Sequence, residues 1–330
     1  MGSSRRSVLK AIAAASALPV ALSISRGALA AFPERPIRLV VPFAPGGNAD
    51  ITGRLIAEGL SQALGSPVVV ENKAGAGGSI GAVEVARAAP DGYTLLVGSN
   101  GPLSVNPYVQ AKLGYDPQKD FAPIGMASIT PHALIVNAGV PARTVSDIVA
   151  LSKKQQVTVG TSGVGSATHL TLARFNAATG ANLVHVPYKG GGALLPDLVA
   201  GVIQGAMTEF SSALAFHRNG KARYIAVASP ARSSQAPDVP TMIESGVKDF
   251  TAGSFIGILA PRGTPADVIS RLEGALAKGL AVPKITERMR ELGQDVASAE
   301  QRTASGFAAF IKQDYERAGE AAKLAGLKPE

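Results

Sequence analysis

Short apolar runs, each closed by glycine or proline and followed by apolar residues at helical spacing, recur along most of this chain. Residues 36–41 (PIRLVV) read as a buried strand. Pro42, Pro45 and the Gly46-Gly47 pair break it, and Ile51, Leu55, Ile56 and Leu60 then recur at helical spacing until Gly65 and Pro67. Asn48 and Asp50, at the start of that helix, are good capping types. A second strand follows at residues 68–72 (VVVEN), then a glycine-rich loop, a short helix with Ile80, Val83, Glu84 and Ala88, a Pro90-Asp91-Gly92 turn and a third strand at residues 93–98 (YTLLVG). Apolar strands alternating with helices predict a parallel, doubly wound α/β sheet.

From about Ala133 the order restarts. Residues 133–136 (ALIV) read as a strand, 145–151 as a helix, and 157–160 (VTVG) as a strand ending in Thr161-Ser162-Gly163-Val164-Gly165-Ser166. A helix with Leu170, Leu172, Ala173 and Phe175 follows, then a strand at 182–187 (NLVHVP), a Gly190-Gly191-Gly192 break and a helix at 193–199. Short strands are expected at Met207-Thr208 and at 224–228. The remainder runs from the apolar stretch at 255–259 through amphipathic helices at 268–280, 285–292 and 307–325. No repeat of residue identity accompanies this repeat of element order, which predicts two similar lobes, with the last part returning to the first.

Each lobe carries a glycine turn that feeds a helix. Such a turn presents unpaired N–H groups at the positive end of the helix dipole, a ready anion site. Ligands of these sheets lie beyond the carboxyl ends of the strands, which puts residues 43–47 and Gly98-Ser99-Asn100 on one rim. A small carboxylate held between the two turns needs no lysine or arginine at its centre, and Asp50 and His169 are then expected to order the loops or bound water.

The first thirty residues stand apart from this pattern. A basic segment with the pair Arg5-Arg6, a mildly apolar run from Ala11 to Leu22 and Ala28-Leu29-Ala30 read as a cleavable export signal of the twin-arginine type, cut after Ala30, although Val8 stands where that pattern usually has Phe. The run is too short, too alanine-rich and too interrupted by Pro19 to anchor the chain in a bilayer. Removing its four basic residues takes the formal charge from +8 to +4. The remaining Lys and Arg are scattered, with no run and no aromatic interleaving, so the composition argues against a nucleic-acid groove. The chain has no cysteine, so an oxidising compartment is met without disulfides.

PIRLVVPFAPGGNAD, VVVENKAGAGGSIGA, APDGYTLLVGS, GTSGVGSATHL, HVPYKGGG and LAPRGTP, in that order, resemble the successive motifs of the Bug-type extracytoplasmic solute receptors of tripartite tricarboxylate transporters. The resemblance runs from about Phe32 to the C-terminus. It implies a type II periplasmic-binding-protein fold: lobe 1 of residues 31–132 plus 254–330, lobe 2 of 133–253, a hinge and a central cleft. It further implies a monomer in the periplasm that closes on a small carboxylate and docks on membrane transporter subunits, with no cofactor. By position, the grip would come from Phe43, Ala44, Gly46, Gly47 and Asp50 in lobe 1 and Ser162, Gly163, Gly165, Ser166, Thr168 and His169 in lobe 2, with Ser99 as a further contact. Members that bind charged ligands often carry an Asp in a stretch like FDxLP, where this chain has Thr208 in MTEFS. Thr208 cannot neutralise an ammonium, so a ligand without a cationic amine is expected. Phe255 stands where the family usually has Trp, in a buried run, which points to packing. Tyr188 could line the cleft or fill the core.

Two other functions fit parts of the sequence. The same fold can report ligand binding to a membrane kinase. Gly77-Gly78-Ser79-Ile80-Gly81 matches the G-x-S-x-G elbow of serine hydrolases, but a glycine loop separates Ser79 from the strand that the elbow requires. His132, His169, His185 and His217 show no metal-ligand spacing, and neither Gly75-Ala76-Gly77 nor Gly163-Val164-Gly165 completes a dinucleotide fingerprint.

Overall fold

A computed structural model describes residues 32–329; the export signal expected at residues 1–30 lies outside the described residues. Strand β1 (Ile37–Val41), helix α1 (Asn48–Leu64), β2 (Val68–Asn72), α2 (Ser79–Ala86) and β3 (Thr94–Gly98) form the alternating unit that the apolar runs predict, with β1 parallel to both β2 and β3. A wide turn at Gly101–Val105 and the single-turn α3 (Asn106–Val109) lead into β4 (Phe121–Asn137). The second unit follows as α4 (Val145–Lys154), β5 (Val157–Thr161), α5 (Ala167–Thr179), β6 (Leu183–Pro187), α6 (Gly191–Ala200), β7 (Gly205–Glu209), α7 (Phe210–Arg218) and β8 (Ala222–Val227). The chain closes with β9 (Gly253–Pro261), α8 (Ala266–Leu280), α9 (Pro283–Glu291), β10 (Asp295–Val296) and α10 (Ala304–Leu324).

The strands follow one hydrogen-bonded path, β2-β1-β3-β9-β4-β7-β5-β6, with β8 and β10 also paired to β4. β4 is the element common to both halves. Its residues from Phe121 to Pro131 pair antiparallel with β9, and those from His132 onward pair with β7 and β8. The pattern at 133–136 marks only the end of this 17-residue strand. Pro123, Gly125 and Pro131 hide the rest, because proline is expected in a sheet only at edges and irregularities. The register indeed shifts between Pro123 and Gly125 and again between Met126 and Ser128.

Each half is a sandwich with its own apolar layers. In the first, Leu39, Val41, Leu95 and Ile258 pack under α1, α8 and α9, while Val40, Leu96, Met126 and Phe255 face the other side. α1 and α8 cross so closely at Gly59 and Gly279 that a Cβ on Gly59 would fall 2.8 Å from the Gly279 Cα. Phe255 is buried, edge-on to Phe307 and Phe310 with ring centroids 5.7 and 5.3 Å away, so its position is a packing one. In the second half Leu134, Val159 and Phe175 form one layer and Leu194, Phe210 and Tyr224 the other. Tyr188 packs against that last layer and donates its hydroxyl hydrogen to Asp197 at 2.7 Å. Helix α5 starts at the rim of this half, α1 at the facing rim.

Candidate ligand-binding site

The loop after β1 is built by its backbone. Gly46 has φ +80°, a left-handed conformation that suits glycine, and its N–H donates to Asp50 Oδ2 at 3.0 Å. Asp50 also accepts from Arg54 Nε and from Asn72 Nδ2, both at 3.0 Å. Burial alone would raise this carboxyl, but the bonds from Arg54, Gly46 and Asn72 outweigh it and hold Asp50 below the usual carboxylate range. Asp50 therefore shapes the loop from behind. The helix itself begins at Asn48, with Gly47 in the cap position and no side-chain cap. Its opening amides are left for other partners.

On the opposite wall Ser166 caps α5, its Oγ accepting the His169 N–H at 3.1 Å. Thr168 Oγ1 accepts the Ser162 N–H and lies 3.0 Å from Ser166 Oγ. His169 stacks on His185 with centroids 4.1 Å apart, and its Nδ1 accepts from the Gly165 N–H at 3.4 Å. His185 Nε2 is 2.7 Å from Thr161 Oγ1. Burial, helped by the neighbouring His169, lowers His185 to about 4, so the ring supports this loop in its neutral form.

The two walls meet. The Ala44 N–H donates to the Lys189 carbonyl at 2.9 Å, and the Asn48 N–H donates to Ser212 Oγ at 2.9 Å. Glycine faces glycine elsewhere on the seam: a Cβ on Gly163 would come within 3.5 Å of the Gly77 nitrogen, and one on Gly47 within 3.0 Å of the Gly192 nitrogen. Between the walls lies a narrow cavity of about 20 Å³, room for roughly one water molecule. Of the residues expected from the sequence, Phe43, Gly47, Ser99, Ser162 and Ser166 line it. Ala44, Gly46, Asp50, Gly163, Gly165, Thr168 and His169 stand behind the lining, in the two loops just described. Thr208 is fully buried, its Oγ1 packed behind Gly191.

Sequence reasoning missed Asn48, Gly191, Glu209 and Ser254 in the wall, along with the apolar or glycine positions Ala49, Gly101, Ala167 and Ile256. The cavity meets the starts of four helices: α1 at Asn48, α5 at Ala167, α6 at Gly191, and α7, whose cap residue is Glu209. Among the described residues that line it there is no lysine or arginine. Asn48 Oδ1 accepts from Thr130, Ser211 and Gln294, while its Nδ2 is buried with no protein partner. A spare amide donor thus stands at the wall.

Glu209 corrects one expectation. With Thr208 in place of the usual Asp, Asp50 was the one acid expected at the ligand, yet the residue after Thr208 supplies another. β7 ends there, and the chain turns into α7 with the Glu209 carboxyl on the cavity. The residue is half-buried, and withdrawal of its carboxyl from water raises its pKa despite the nearby Ser254 and Thr208 hydroxyls. The signal was present in MTEFS, but strand alternation alone does not say which of two adjacent residues a strand end turns inward. Ser79, in contrast, is away from the cavity: its Oγ donates to Gln110 at 2.8 Å and accepts from Asn106 at 2.7 Å. A 3₁₀ turn at Ala76–Gly78 separates it from β2, so neither a base nor the elbow geometry is present. Among the described residues no cluster of three or more His, Asp or Glu is arranged to hold a metal ion, and no helix is long and apolar enough to cross a membrane.

Residues 52–327 match the family described as the tripartite tricarboxylate transporter family receptor. The solved structure of the periplasmic binding protein BugD is 37% identical and superposes with a TM-score of 0.87 over 91% of this chain and 100% of that one. An R. palustris protein with adipate is 31% identical, with a TM-score of 0.86 over 91% and 100%. The protein MatC of Rhodopseudomonas palustris, with bound malate, is 32% identical, with a TM-score of 0.85 over 88% and 99%.

Proposed function

The chain belongs to the tripartite tricarboxylate transporter receptor family, and from that premise we propose that it captures a small organic carboxylate between its lobes and hands it to a membrane transporter of the tripartite tricarboxylate type. It is a periplasmic solute-binding receptor with the two-lobe fold, not an enzyme. The observation that carries the reading is the cavity wall: four helix starts and the unpaired Asn48 amide surround a space lined by no lysine or arginine among the described residues. Aligned peptide dipoles favour an anion there, and several N–H donors can share two carboxylate oxygens. Adipate and malate in the similar structures support an aliphatic acid of that size.

In this reading lobe 1 comprises residues 31–132 and 254–330 and lobe 2 residues 133–253, and β4 changes partners at Pro131-His132, between the two. Phe43, Gly47, Ser99, Ser162 and Ser166 touch the ligand. Ala44, Gly46, Asp50, Gly163, Gly165, Thr168, His169 and Thr208 hold those contacts in place. The cavity is too small for a dicarboxylate as it stands, so the ligand enters with the lobes apart and favours the closed form by being gripped from both sides. The protein acts as a monomer, exported by the twin-arginine route.

A thermal-shift screen of residues 31–330 against malate, adipate and their amides tests this. A ligand of the folded form alone adds about 2.7 kcal/mol of stability at a hundred times its dissociation constant. Acids that raise the melting temperature while their amides do not are the expected result; amides that act equally would end the carboxylate reading.

A further inference from the structure

His132 and Glu209 are register partners across the β4–β7 ladder. Ser254 of β9 sits between their side chains, its Oγ 2.8 Å from His132 Nε2 and 3.1 Å from Glu209 Oε1. Beyond the imidazole, Nδ1 is 2.7 Å from the Thr171 hydroxyl, which in turn lies 3.0 Å from the Ala167 carbonyl oxygen in α5. One hydrogen-bonded chain therefore starts at the cavity wall and ends at the first turn of α5. Its interior links are two hydroxyls and an imidazole with two tautomers, all able to reverse direction. With Glu209 ionised, hydrogens run from Thr171 through His132 and Ser254 to the carboxylate. With Glu209 protonated, they run the other way and finish on the Ala167 carbonyl. Neither state orphans a polar atom of the chain, so the carboxyl can gain or lose a proton without moving heavy atoms.

We propose that Glu209 is a specificity-determining residue of the pocket that carries a proton whenever a carboxylate occupies the cavity, so that capture of the anion is coupled to proton uptake. The proposal rests on the carboxylate reading above. Glu209 is the one charged side chain among the described residues of the lining. A ligand carboxylate beside it makes two anions in a desolvated space with no cation in the wall, and such a pair keeps one proton. The groups facing Glu209 agree. His132 of β4 reaches it only through Ser254, and burial, with the charge of Arg174 of α5 adding to it, keeps the imidazole neutral. α6 brings Gly191, α7 brings Ser212 and its own strand brings Thr208. Asp50 of α1 is engaged by Arg54 and Asn72. Burial already raises the carboxyl before any ligand arrives.

Titration calorimetry with malate in buffers of different ionisation enthalpy tests the coupling, over about pH 7 to about pH 9, well above the carboxylate range in which malate itself titrates. Above the pKa of the unliganded Glu209 the wild-type protein should take up a proton, and its affinity should fall about tenfold per pH unit; Glu209→Gln should show neither effect. Infrared spectra follow the carboxyl directly: its protonated stretch in the unliganded protein should fade as the pH rises through that pKa, persist to higher pH in the malate complex, and be absent from Glu209→Gln. An equal pH slope in both proteins, proton release on binding, or no such band in the malate complex would overturn the proposal. If malate and adipate bind the wild-type protein at no pH, the receptor reading for these acids fails. The unliganded infrared band then still decides whether Glu209 is neutral.

Discussion

Gly47 and Gly192 meet across the cleft, so close that a Cβ on Gly47 would lie 3.0 Å from the Gly192 nitrogen, while one on Gly192 would run into the Pro45 carbonyl oxygen. Gly192 lies in the first turn of α6 with no left-handed backbone to defend. Alanine there favours the helix and obstructs only the approach of the opposite wall. Gly192→Ala should therefore melt no lower than the wild-type protein without ligand, yet bind the carboxylate at least about tenfold more weakly, a loss of about 1.4 kcal/mol. Calorimetry beside a melting curve separates the two effects, and full affinity would show that the walls need not meet this closely.

Asn48 separates stability from recognition. Asn48→Ala removes the acceptor shared by Thr130, Ser211 and Gln294 and should cost about 1–3 kcal/mol in a denaturant titration. Asn48→Asp keeps an acceptor for those three donors but loses the spare amide and adds a negative charge at the wall. Its stability should stay closer to wild type while carboxylate affinity falls by more than about tenfold. A drop in both properties for both variants would mean that Asn48 serves only the fold.

Acid should loosen the protein through its buried histidines. Burial, reinforced by Arg174, lowers His132 to about 3, and burial with His169 lowers His185 to about 4. Both lie below the unfolded value of about 6.5, so between those limits the unfolded chain binds more protons than the native one. Their contribution is full above about pH 6.5 and declines as the pH falls toward about 4, while the raised Glu209 carboxyl acts in the opposite direction. The loss of stability between about pH 7.5 and about pH 5 should therefore be smaller in His132→Gln than in the wild-type protein, by about 2 kcal/mol in a denaturant titration at each pH.

Ser79→Ala should lose about 1 kcal/mol of stability with its two amide partners and leave ligand affinity where it was. An ester hydrolysis signal in the wild-type protein that vanished in this variant would restore the hydrolase reading.

Much of this was legible because glycine and proline punctuate the chain wherever a strand hands over to a helix: β1, β3, β5 and β6 lie within a residue or two of their apolar runs. The PFAPGG and SGVGS loops were legible for the same reason, since turns that bring two backbones this close need glycine and leave it visible. Three features escaped. β4 was hidden by prolines that its register shifts accommodate. Glu209 and Asn48 were hidden because each depends on a turn angle at an element end. Ser254 and His132 were hidden because 122 positions separate two side chains that only the sheet brings together.

The wall that no lysine or arginine lines has a kinetic corollary. Fields from helix ends fade within about one turn, unlike those of formal charges, so they give an approaching anion little long-range guidance. Encounter should then be slow by the standard of steered partners and nearly indifferent to ionic strength. Discrimination passes to how long the lobes stay shut, which suits a protein that samples a medium whose salinity the cell does not set.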